Sequence, residues 1–235
     1  MKRKLDDRLL AVADCVEKGA FLADIGTDHA YLPIYLMEEG KIAGAVASDI
    51  HKGPLERADI NIREAGLSDR IATKLTDGLR GIEEFPVTDV AIAGMGGLMI
   101  AGILDAAPFV KERGTRLILQ PMQHIPELRE YLGKNGYTVT REAGAIADGK
   151  IYQIICVVYT GVTEEYTEME LLLGKYNIAH KNENASFFRA LCRRHLDVIG
   201  DKIRGMEKGG YDAAHEKALY ASIEAEMNGV CDISM

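Results

Sequence analysis

The stretch Asp24-Ile25-Gly26-Thr27-Asp28-His29 follows a short apolar run and combines carboxylates and an imidazole with a single glycine. Gly26 would let a ligand approach the backbone closely, and a helix expected to begin near Ala30 would offer its N-terminal N–H groups. On the dinucleotide-binding pattern G-x-G-x-x-G, Asp28 takes the place of the second glycine. A carboxylate there would repel a pyrophosphate but would suit the positive amino and sulfonium groups of S-adenosylmethionine. Simple capping of the turn and helix by Asp24 and Asp28 is the alternative.

Three further loops follow predicted strands and carry groups suited to other parts of a nucleoside ligand. Asp49, with Ile50 beside it, stands where an acid accepts hydrogen bonds from both ribose hydroxyls. Asp77 with Gly78 could accept from an adenine amino group, although an Asp-Gly turn without a ligand role fits equally well. The fourth loop, Ala91-Ile92-Ala93-Gly94-Met95-Gly96-Gly97, leaves bare backbone beside the reactive end of the ligand, and a tight bend is its alternative.

The elements that must position these loops alternate strictly between residues 21 and 120. The predicted strands are 21–25, 44–48, 71–75, 87–93 and 116–119. The predicted helices are 31–39, 53–65, 99–111 and 125–135. Strand and helix in alternation predict a mostly parallel, doubly wound α/β sheet covered on both faces. Ligands of such sheets bind outside the carboxyl ends of the strands, where all four loops lie.

The segment 137–161 breaks this alternation, because it contains two β-rich runs joined by Ala147-Asp148-Gly149-Lys150. Asp-Gly between such runs is a strong hairpin signal. A parallel sheet that ends in an antiparallel hairpin is typical of class I methyltransferase domains, whereas dinucleotide dehydrogenases end with another parallel strand. We therefore predict an S-adenosylmethionine-binding domain over residues 1–161.

The remainder, 162–235, has a helical pattern, and residues 164–229 contain no proline. We predict a C-terminal domain of two or three helices, arranged as an antiparallel, coiled-coil-like hairpin. Between Lys175 and Lys208 there are eight basic and four acidic residues, a local balance of +4 against −8 for the whole chain. A solvated helical face is the simpler interpretation of this balance, and a nucleic-acid contact is the other.

The overall composition restricts the other possibilities. A net charge of −8 argues against indiscriminate nucleic-acid binding. The four cysteines form no CxxC pair and the six histidines form no metal-ligand spacing, so we expect structural thiols and no metal. No run approaches the roughly 20 apolar residues of a membrane span, and the N-terminus lacks the apolar core of a signal peptide. These features predict a cytoplasmic protein without a membrane partner.

Five sequence blocks, DIGTDHAYLPIYL, SDIHKGPLERADINI, TDGL, IAGMGG and LILQP, occur in this order. Together they resemble the bacterial tRNA (adenine-22-N1)-methyltransferase family, TrmK. The similarity spans roughly residues 5–161 and continues more loosely into the helical tail. It implies a class I, Rossmann-like methyltransferase domain, a helical C-terminal domain, and methyl transfer from S-adenosylmethionine to N1 of adenine 22 in tRNA.

The resemblance also assigns roles by position. The cofactor residues would be Asp24, Gly26, Asp28, His29, Asp49, Ile50, Asp77, Gly78, Ala93 and Gly94. Residues near the reacting centre would be Asp28, His29, Tyr31, Gly94 and Met95, with Asp28, His29 and Tyr31 as acceptors or stacking groups for the target base. Contacts to tRNA would come from Arg8, Arg189, Arg193, Arg194, Lys202 and Arg204.

Several alternatives stay open at this level. The acceptor could be another RNA, a protein or a small molecule, the chain could be an NAD-dependent oxidoreductase, or it could bind RNA without catalysis. We expect a monomer or weak dimer.

Overall fold

The computed structural model describes residues 4–112 and 114–231. They divide into two units, which we call the sheet unit, up to Glu164, and the helical unit, from Glu165. No helix among these residues is long and apolar enough to cross a membrane.

The sheet unit contains seven strands in the order β3-β2-β1-β4-β5-β7-β6. The strands are β1 (Phe21–Ile25), β2 (Gly44–Asp49), β3 (Ile71–Leu75), β4 (Asp89–Met95), β5 (Arg116–Pro121), β6 (Tyr137–Ala147) and β7 (Lys150–Tyr159). The first five are parallel, whereas β7 runs antiparallel to both β5 and β6. The prediction of a Rossmann-like parallel sheet that ends in an antiparallel hairpin is therefore confirmed.

The turn of this hairpin shows why the Asp-Gly signal was informative. Asp148 and Gly149 both have positive φ, 50° and 70°. This is the requirement of a type I′ turn, whose twist matches that of the two strands it joins.

Six helices surround the sheet: α1 (Asp7–Cys15), α2 (Tyr31–Glu38), α3 (Lys52–Glu64), α4 (Gly97–Asp105), α5 (Phe109–Glu112) and α6 (Ile125–Lys134). A 3-10 turn, Ile82–Glu84, precedes β4. The prediction of one helix over 99–111 was wrong. The helix ends at Asp105 and a short one begins at Phe109, because Pro108 lacks an N–H and disfavours helical geometry at the residue before it.

Alternate residues of each strand feed two apolar layers, one on each face of the sheet. Val12, Ile34 and Ile62, from α1, α2 and α3, pack on one face. Leu104 and Leu132, from α4 and α6, pack on the other. Burial on both faces fixes the strand register, and thereby fixes which residues emerge at the carboxyl ends.

The helical unit contains α7 (Glu168–Leu173), α8 (Lys175–Ala179), α9 (Ala185–Lys208) and α10 (Ala214–Asn228). The described residues thus form four helices rather than two or three, because Gly174, at φ 87°, separates two short ones. The long helices α9 and α10 form an antiparallel hairpin, with Lys181 bonded to Glu226 near one end and Lys202 to Glu216 near the other.

Candidate functional site

Asp24 is the buried acid of the carboxyl edge of the sheet. It lies on β1 with 7% of its surface exposed. Burial raises the pKa of its carboxyl from 3.8 to about 6, against the opposing effects of a Thr27 hydrogen bond and the charge of Arg8. Among the described residues, no cation lies within ion-pair distance of Asp24. Its negative charge is therefore available to a positively charged ligand.

The backbone after Asp24 is anchored to the neighbouring strand. Gly26 and Thr27 both donate their N–H groups to the Ser48 carbonyl at 2.8 Å. Gly26 has φ 74°, and a Cβ at this position would lie 2.2 Å from the Met95 methyl group. The Thr27 hydroxyl then accepts from the Ala30 N–H at 3.1 Å, and α2 begins at the next residue. The loop is thus narrow and held by the sheet rather than by a second glycine.

Asp28 occupies a different environment from Asp24. Its side chain is 62% exposed and forms an ion pair with Arg57 of α3 at 2.7 Å. The hydrogen bond from Arg57 lowers the pKa of the Asp28 carboxyl. The charge argument made for Asp28 from the sequence therefore applies better to Asp24, because Arg57 already compensates Asp28.

His29 and Tyr31 form an aromatic pair beside this loop. Their rings are nearly parallel, at an interplanar angle of 9° and a centroid distance of 4.8 Å. Asn61 donates to the His29 carbonyl at 3.0 Å, and the His29 ring lies 3.2 Å from an Asp28 oxygen. Tyr31 is 41% exposed. Both rings of this pair are therefore partly exposed to solvent.

Gly94 marks a bulge in β4, where the pairing with β5 shifts between Ala93 and Met95. Its φ is 81°. Its N–H donates to the side-chain oxygen of Gln120 at 3.1 Å. Gln120, at the end of β5, is completely buried. A side chain of the neighbouring strand therefore fixes the conformation of the fourth loop.

Arg8 reaches the same side-chain oxygen of Gln120 from α1, at 2.9 Å. The pattern of the sequence did not predict the helix α1, whose first turn Asp6 caps by accepting from the Leu9 N–H at 2.7 Å. Arg8, predicted from the resemblance as a tRNA contact, thus lies beside Gly94 and Asp24 in the sheet unit.

A cavity of about 350 Å³ brings most of these residues together. Its lining consists of Asp6, Arg8, Leu9, Asp24, Gly26, Thr27, Asp28, His29, Ala30, Tyr31, Leu32, Ala93 and Gly94. We call it the first cavity. Two strand ends, the start of α2 and the start of α1 contribute to it.

A second cavity, also of about 350 Å³, lies at the third loop. It is lined by Asp77, Gly78, Leu79, Arg80, Met99, Gly102, Ile103 and Ala106. Asp77 and Gly78 were predicted as adenine contacts, and the apolar side chains of α4 form the other wall.

Three of the residues predicted for the cofactor or the reacting centre line neither cavity. Asp49, at the end of β2, accepts from the His51 N–H at 2.7 Å. Ile50 is 56% exposed beside it. The methyl group of Met95 packs against Gly26, and Met95 is not part of the lining of the first cavity.

The predicted tRNA contacts of the helical unit differ in their surroundings. Arg189 is half-buried and donates to the Val230 carbonyl at 2.9 Å. Lys202 pairs with Glu216, and Arg204 pairs with Asp201. Arg193 and Arg194 are exposed, and within the described part of the chain no acid lies within ion-pair distance of either. No group of three or more His, Cys, Asp or Glu that could hold a metal occurs among the described residues.

Comparison with known proteins gives consistent results. The family of methyltransferase domains matches residues 5–155. A curated relative, the tRNA (adenine(22)-N(1))-methyltransferase of Bacillus subtilis, is 41% identical over 209 residues, covering 85% of this chain and 86% of the relative.

Two solved structures cover nearly the whole chain. Streptococcus pneumoniae Sp1610 in complex with S-adenosyl-L-methionine has a TM-score of 0.81 at 30% identity, covering 95% of this chain and 100% of the other. M. capricolum TrmK in complex with its natural cofactor product, S-adenosyl-homocysteine, has a TM-score of 0.74 at 26% identity, covering 96% of each chain.

Proposed function

The chain belongs to the bacterial tRNA (adenine-22-N1)-methyltransferase family, and we propose that the first cavity is where its methyl transfer takes place. The protein is an S-adenosylmethionine-dependent methyltransferase that acts on N1 of adenine 22 of tRNA. The observation that carries the placement is the buried carboxylate of Asp24, which has no ion-pair partner among the described residues and lines a cavity shared with Gly94.

The donor set of the chain fits this cofactor. Asp24 offers a desolvated negative charge that would bind the cofactor's amino group. The narrow backbone at Gly26 would let the methionyl end pass close to the loop. Asp49 would accept from the ribose hydroxyls, and Asp77 with Gly78 would hold the adenine in the second cavity. Ile50 would cover the ligand from the solvent side.

The chain mainly supplies orientation to this reaction. The bound cofactor supplies a methyl group on a positively charged sulfur, and neutral adenine already has a lone pair on N1. No side chain therefore has to remove a proton before the attack. Alignment of the two reactants alone can lower a barrier by several kcal/mol, of the order of 7 kcal/mol or more in well-oriented systems. The Gln120 bond that fixes Gly94 would serve this alignment.

The stacked pair of His29 and Tyr31 is our candidate for holding the target base. A base in the tRNA core must leave its stack, at a cost of a few kcal/mol, before it can enter a cavity. Stacking on an aromatic side chain returns about 1–3 kcal/mol per base. The methylated adenine is cationic, and a ring face favours a cation.

We further propose that residues 1–161 form the methyltransferase domain and that residues 162–235 contact tRNA. Exposed Arg193 and Arg194 support the second role, because unpaired guanidinium groups can neutralise phosphates without breaking an ion pair. Arg189, Lys202 and Arg204 already have partners and would contribute less. Action on tRNA supports a cytoplasmic location. We also propose a monomer or weak dimer, and size-exclusion chromatography across a range of protein concentrations would test this oligomeric state.

The test of the function is nucleoside mass analysis. Unmodified tRNA with adenine at position 22 is incubated with the protein and S-adenosylmethionine, beside the same tRNA with guanine at that position. We expect N1-methyladenosine from the first tRNA alone. Equal methylation of both tRNAs would remove the assignment to position 22, and absence of methylation in every tRNA would overturn the function.

The proposed stacking of the target base on Tyr31 is tested with two variants of this residue. Tyr31→Phe keeps the ring, so its methylation rate should stay within about threefold of the wild type. Tyr31→Ala removes about 1–3 kcal/mol of stacking, so its methylation rate should fall about fivefold to 150-fold. Equal rates for the two variants would contradict a stacking role.

A further inference from the structure

Gln123 lies in the segment Met122-Gln123-His124 between β5 and α6, which we call the fifth loop. We propose that the side-chain amide of Gln123 binds the target adenine at its N6 amino group and at N7, and that this contact selects adenine for methylation. The proposal rests on the proposed function, since it concerns the base that receives the methyl group. It deepens that function by naming the residue that recognises the base.

The fifth loop is held against the fourth loop by backbone hydrogen bonds. The Met122 N–H donates to the Met95 carbonyl, and the Gly97 N–H donates to the Gln123 carbonyl, both at 2.8 Å. The position of Gln123 relative to the fourth loop is therefore set by the fold.

The side chain of Gln123 lies directly against the fourth loop. Its amide nitrogen is 3.6 Å, and its Cγ 3.7 Å, from the place that a Cβ of Gly96 would occupy. Because Gly96 has no side chain, nothing of this residue stands between the amide and the backbone of the loop. The amide is thus beside the loop that we place at the reacting centre.

The two glutamines near the end of β5 differ in how their amides are used. Gln120 is completely buried, and its amide is bonded to Arg8, to the Gly94 N–H and to the Pro121 carbonyl. Gln123 is exposed, and among the described residues none is hydrogen-bonded to its side-chain amide. Gln120 therefore holds the loops in place, whereas Gln123 has a donor and an acceptor available for a ligand.

The strand order places the fourth loop between two contacts for the base. β4 lies between β1 and β5. The segment after β1 carries His29 and Tyr31, and the segment after β5 carries Gln123. A base at the fourth loop can stack on the aromatic pair by its face and meet Gln123 by its edge. Asp28, another side chain predicted as an acceptor for the base, is already paired with Arg57 at 2.7 Å.

A glutamine amide matches the edge of adenine that leaves N1 free. The N6 amino group donates and N7 accepts, so the amide oxygen and the amide nitrogen of Gln123 meet one group each. N1 can then face the methyl group of the cofactor. Guanine presents two acceptors, O6 and N7, along the same edge, so the amide oxygen would face another oxygen. The single contact thus discriminates between the two purines.

The contact also favours the reaction itself. The N1 lone pair forms the bond to the methyl carbon, the electron pair of the broken S–C bond stays on sulfur, and N6 keeps both of its protons. The positive charge gained by the base makes the N6 amino group a stronger donor to the Gln123 oxygen. An interaction that is stronger in the transition state raises the rate of the bound complex, and not only the affinity for tRNA.

The experiment measures single-turnover methylation, with saturating protein and cofactor, of two tRNAs that differ in the target base. One carries adenosine at position 22, and the other carries 7-deazaadenosine, which keeps N1 and N6 but has a C–H group in place of N7. The variants are Gln123→Ala and Gln123→Glu. Ser68→Ala is the control, since Ser68 is an exposed polar residue before β3, at the opposite edge of the sheet, and lines neither cavity. Thermal melts and calorimetric binding of S-adenosylmethionine check the folding of each variant.

We expect Gln123→Ala to methylate the adenosine tRNA about fivefold to 150-fold more slowly than the wild type, as loss of a bidentate base contact does. The preference for adenosine over 7-deazaadenosine should be about fivefold larger in the wild type than in Gln123→Ala, and the intrinsic reactivity of the analogue cancels in this comparison. Gln123→Glu keeps an acceptor for N6 but places a carboxylate oxygen against N7, so its preference should shift towards 7-deazaadenosine. Cofactor affinity should change less than about twofold in both variants, and Ser68→Ala should match the wild type.

Two results would overturn the proposal. One is a wild-type rate of Gln123→Ala on the adenosine tRNA, which would leave Gln123 as a solvated loop residue. The other is equal slowing of both tRNAs by Gln123→Ala, which would show a disturbed loop instead of a contact to N7. A wild-type chain that methylates neither tRNA would overturn the proposed function, whereas methylation by the wild type together with either of these results would overturn this inference alone.

Discussion

The sheet unit and the helical unit hold their polar side chains in opposite ways. In the sheet unit Asp24, which lines the first cavity, is buried, and the buried Gln120 fixes two other residues of its lining, Arg8 and Gly94. In the helical unit Arg193 and Arg194 are exposed and make no ion pair within the described chain. A fixed cavity acts through geometry, so single changes should have large effects there. A solvated basic surface acts through summed charge, so single changes should be small and dependent on salt.

The largest effect is expected from Gly97→Ala at the start of α4. A Cβ at Gly97 would lie 2.2 Å from the His124 carbonyl oxygen, and the Gly97 N–H donates to the Gln123 carbonyl at 2.8 Å. Both neighbours are backbone atoms, so the fourth loop must shift. A displacement of about 1 Å can cost about a hundredfold in rate, and overpacking costs about 1–3 kcal/mol of unfolding free energy. Methylation assays and thermal melts would measure both.

The matched variant in the helical unit is Gly205→Ala in α9. No heavy atom beyond its own helix lies within 4 Å of the position of its Cβ. Alanine is favoured over glycine in a helix by about 1 kcal/mol, so this variant should melt slightly higher and keep its activity. Equal losses in the two variants would contradict the contrast between a fixed loop and an open helix surface.

Asp24→Asn should have the next largest effect. Replacing the carboxylate removes its attraction for the cofactor's amino group, which should weaken binding about tenfold to hundredfold. The cofactor-free protein should become more stable at pH 7, by up to about 3 kcal/mol, because burial of the ionised carboxylate is unfavourable. Calorimetry and thermal melts would measure the two changes, and weaker binding without any gain in stability would contradict the raised pKa.

Asp24 and Gln120 also show how far the sequence alone could predict this site. Asp24, Asp49 and Asp77 follow apolar runs whose lengths define the strands, so their positions at one edge followed from the alternating pattern. Gln120 lies within the block LILQP, where nothing in the sequence indicates its role. Its bond to Arg8 joins residues 112 positions apart, which depends on how α1 packs against the sheet.

The helices also show which features can be predicted from local sequence and which cannot. Pro108, which divides the predicted helix over 99–111, was visible in the sequence and could have been used. The pairing of Asp28 with Arg57 could not be predicted from the sequence, because it depends on how α3 is placed beside the loop that precedes α2. Local signals thus located the elements, whereas the partners of individual charges required the tertiary structure.

The pH dependence of cofactor binding should be smaller than the effect of the mutation but should have a defined sign. The pKa of Asp24 is raised to about 6, so the carboxylate is mostly ionised at pH 7 and mostly protonated at pH 5. A ligand that requires the ionised form should bind about tenfold more weakly at pH 5 than at pH 7. Over the same interval the cofactor-free protein should gain stability relative to Asp24→Asn, since the unfavourable buried charge is lost as the pH falls through 6. A binding profile that is flat between pH 5 and 7 in the wild type would contradict the assignment of Asp24.

The smallest effect is expected from the double variant Arg193→Gln, Arg194→Gln. Both side chains are exposed on α9, so loss of two phosphate contacts should weaken tRNA binding severalfold and reduce the slope of log affinity against log salt by about 2. The control is Arg204→Gln, Lys217→Gln, which removes the same charge from side chains already paired with Asp201 and Glu207. It should change the slope less, because part of its charge is compensated within the protein. Filter binding at several salt concentrations would compare the two, and S-adenosylmethionine affinity should be the same in both. Equal slopes would mean that the helical unit contributes only its total charge, whereas a loss of cofactor binding would show that the variants disturb the fold.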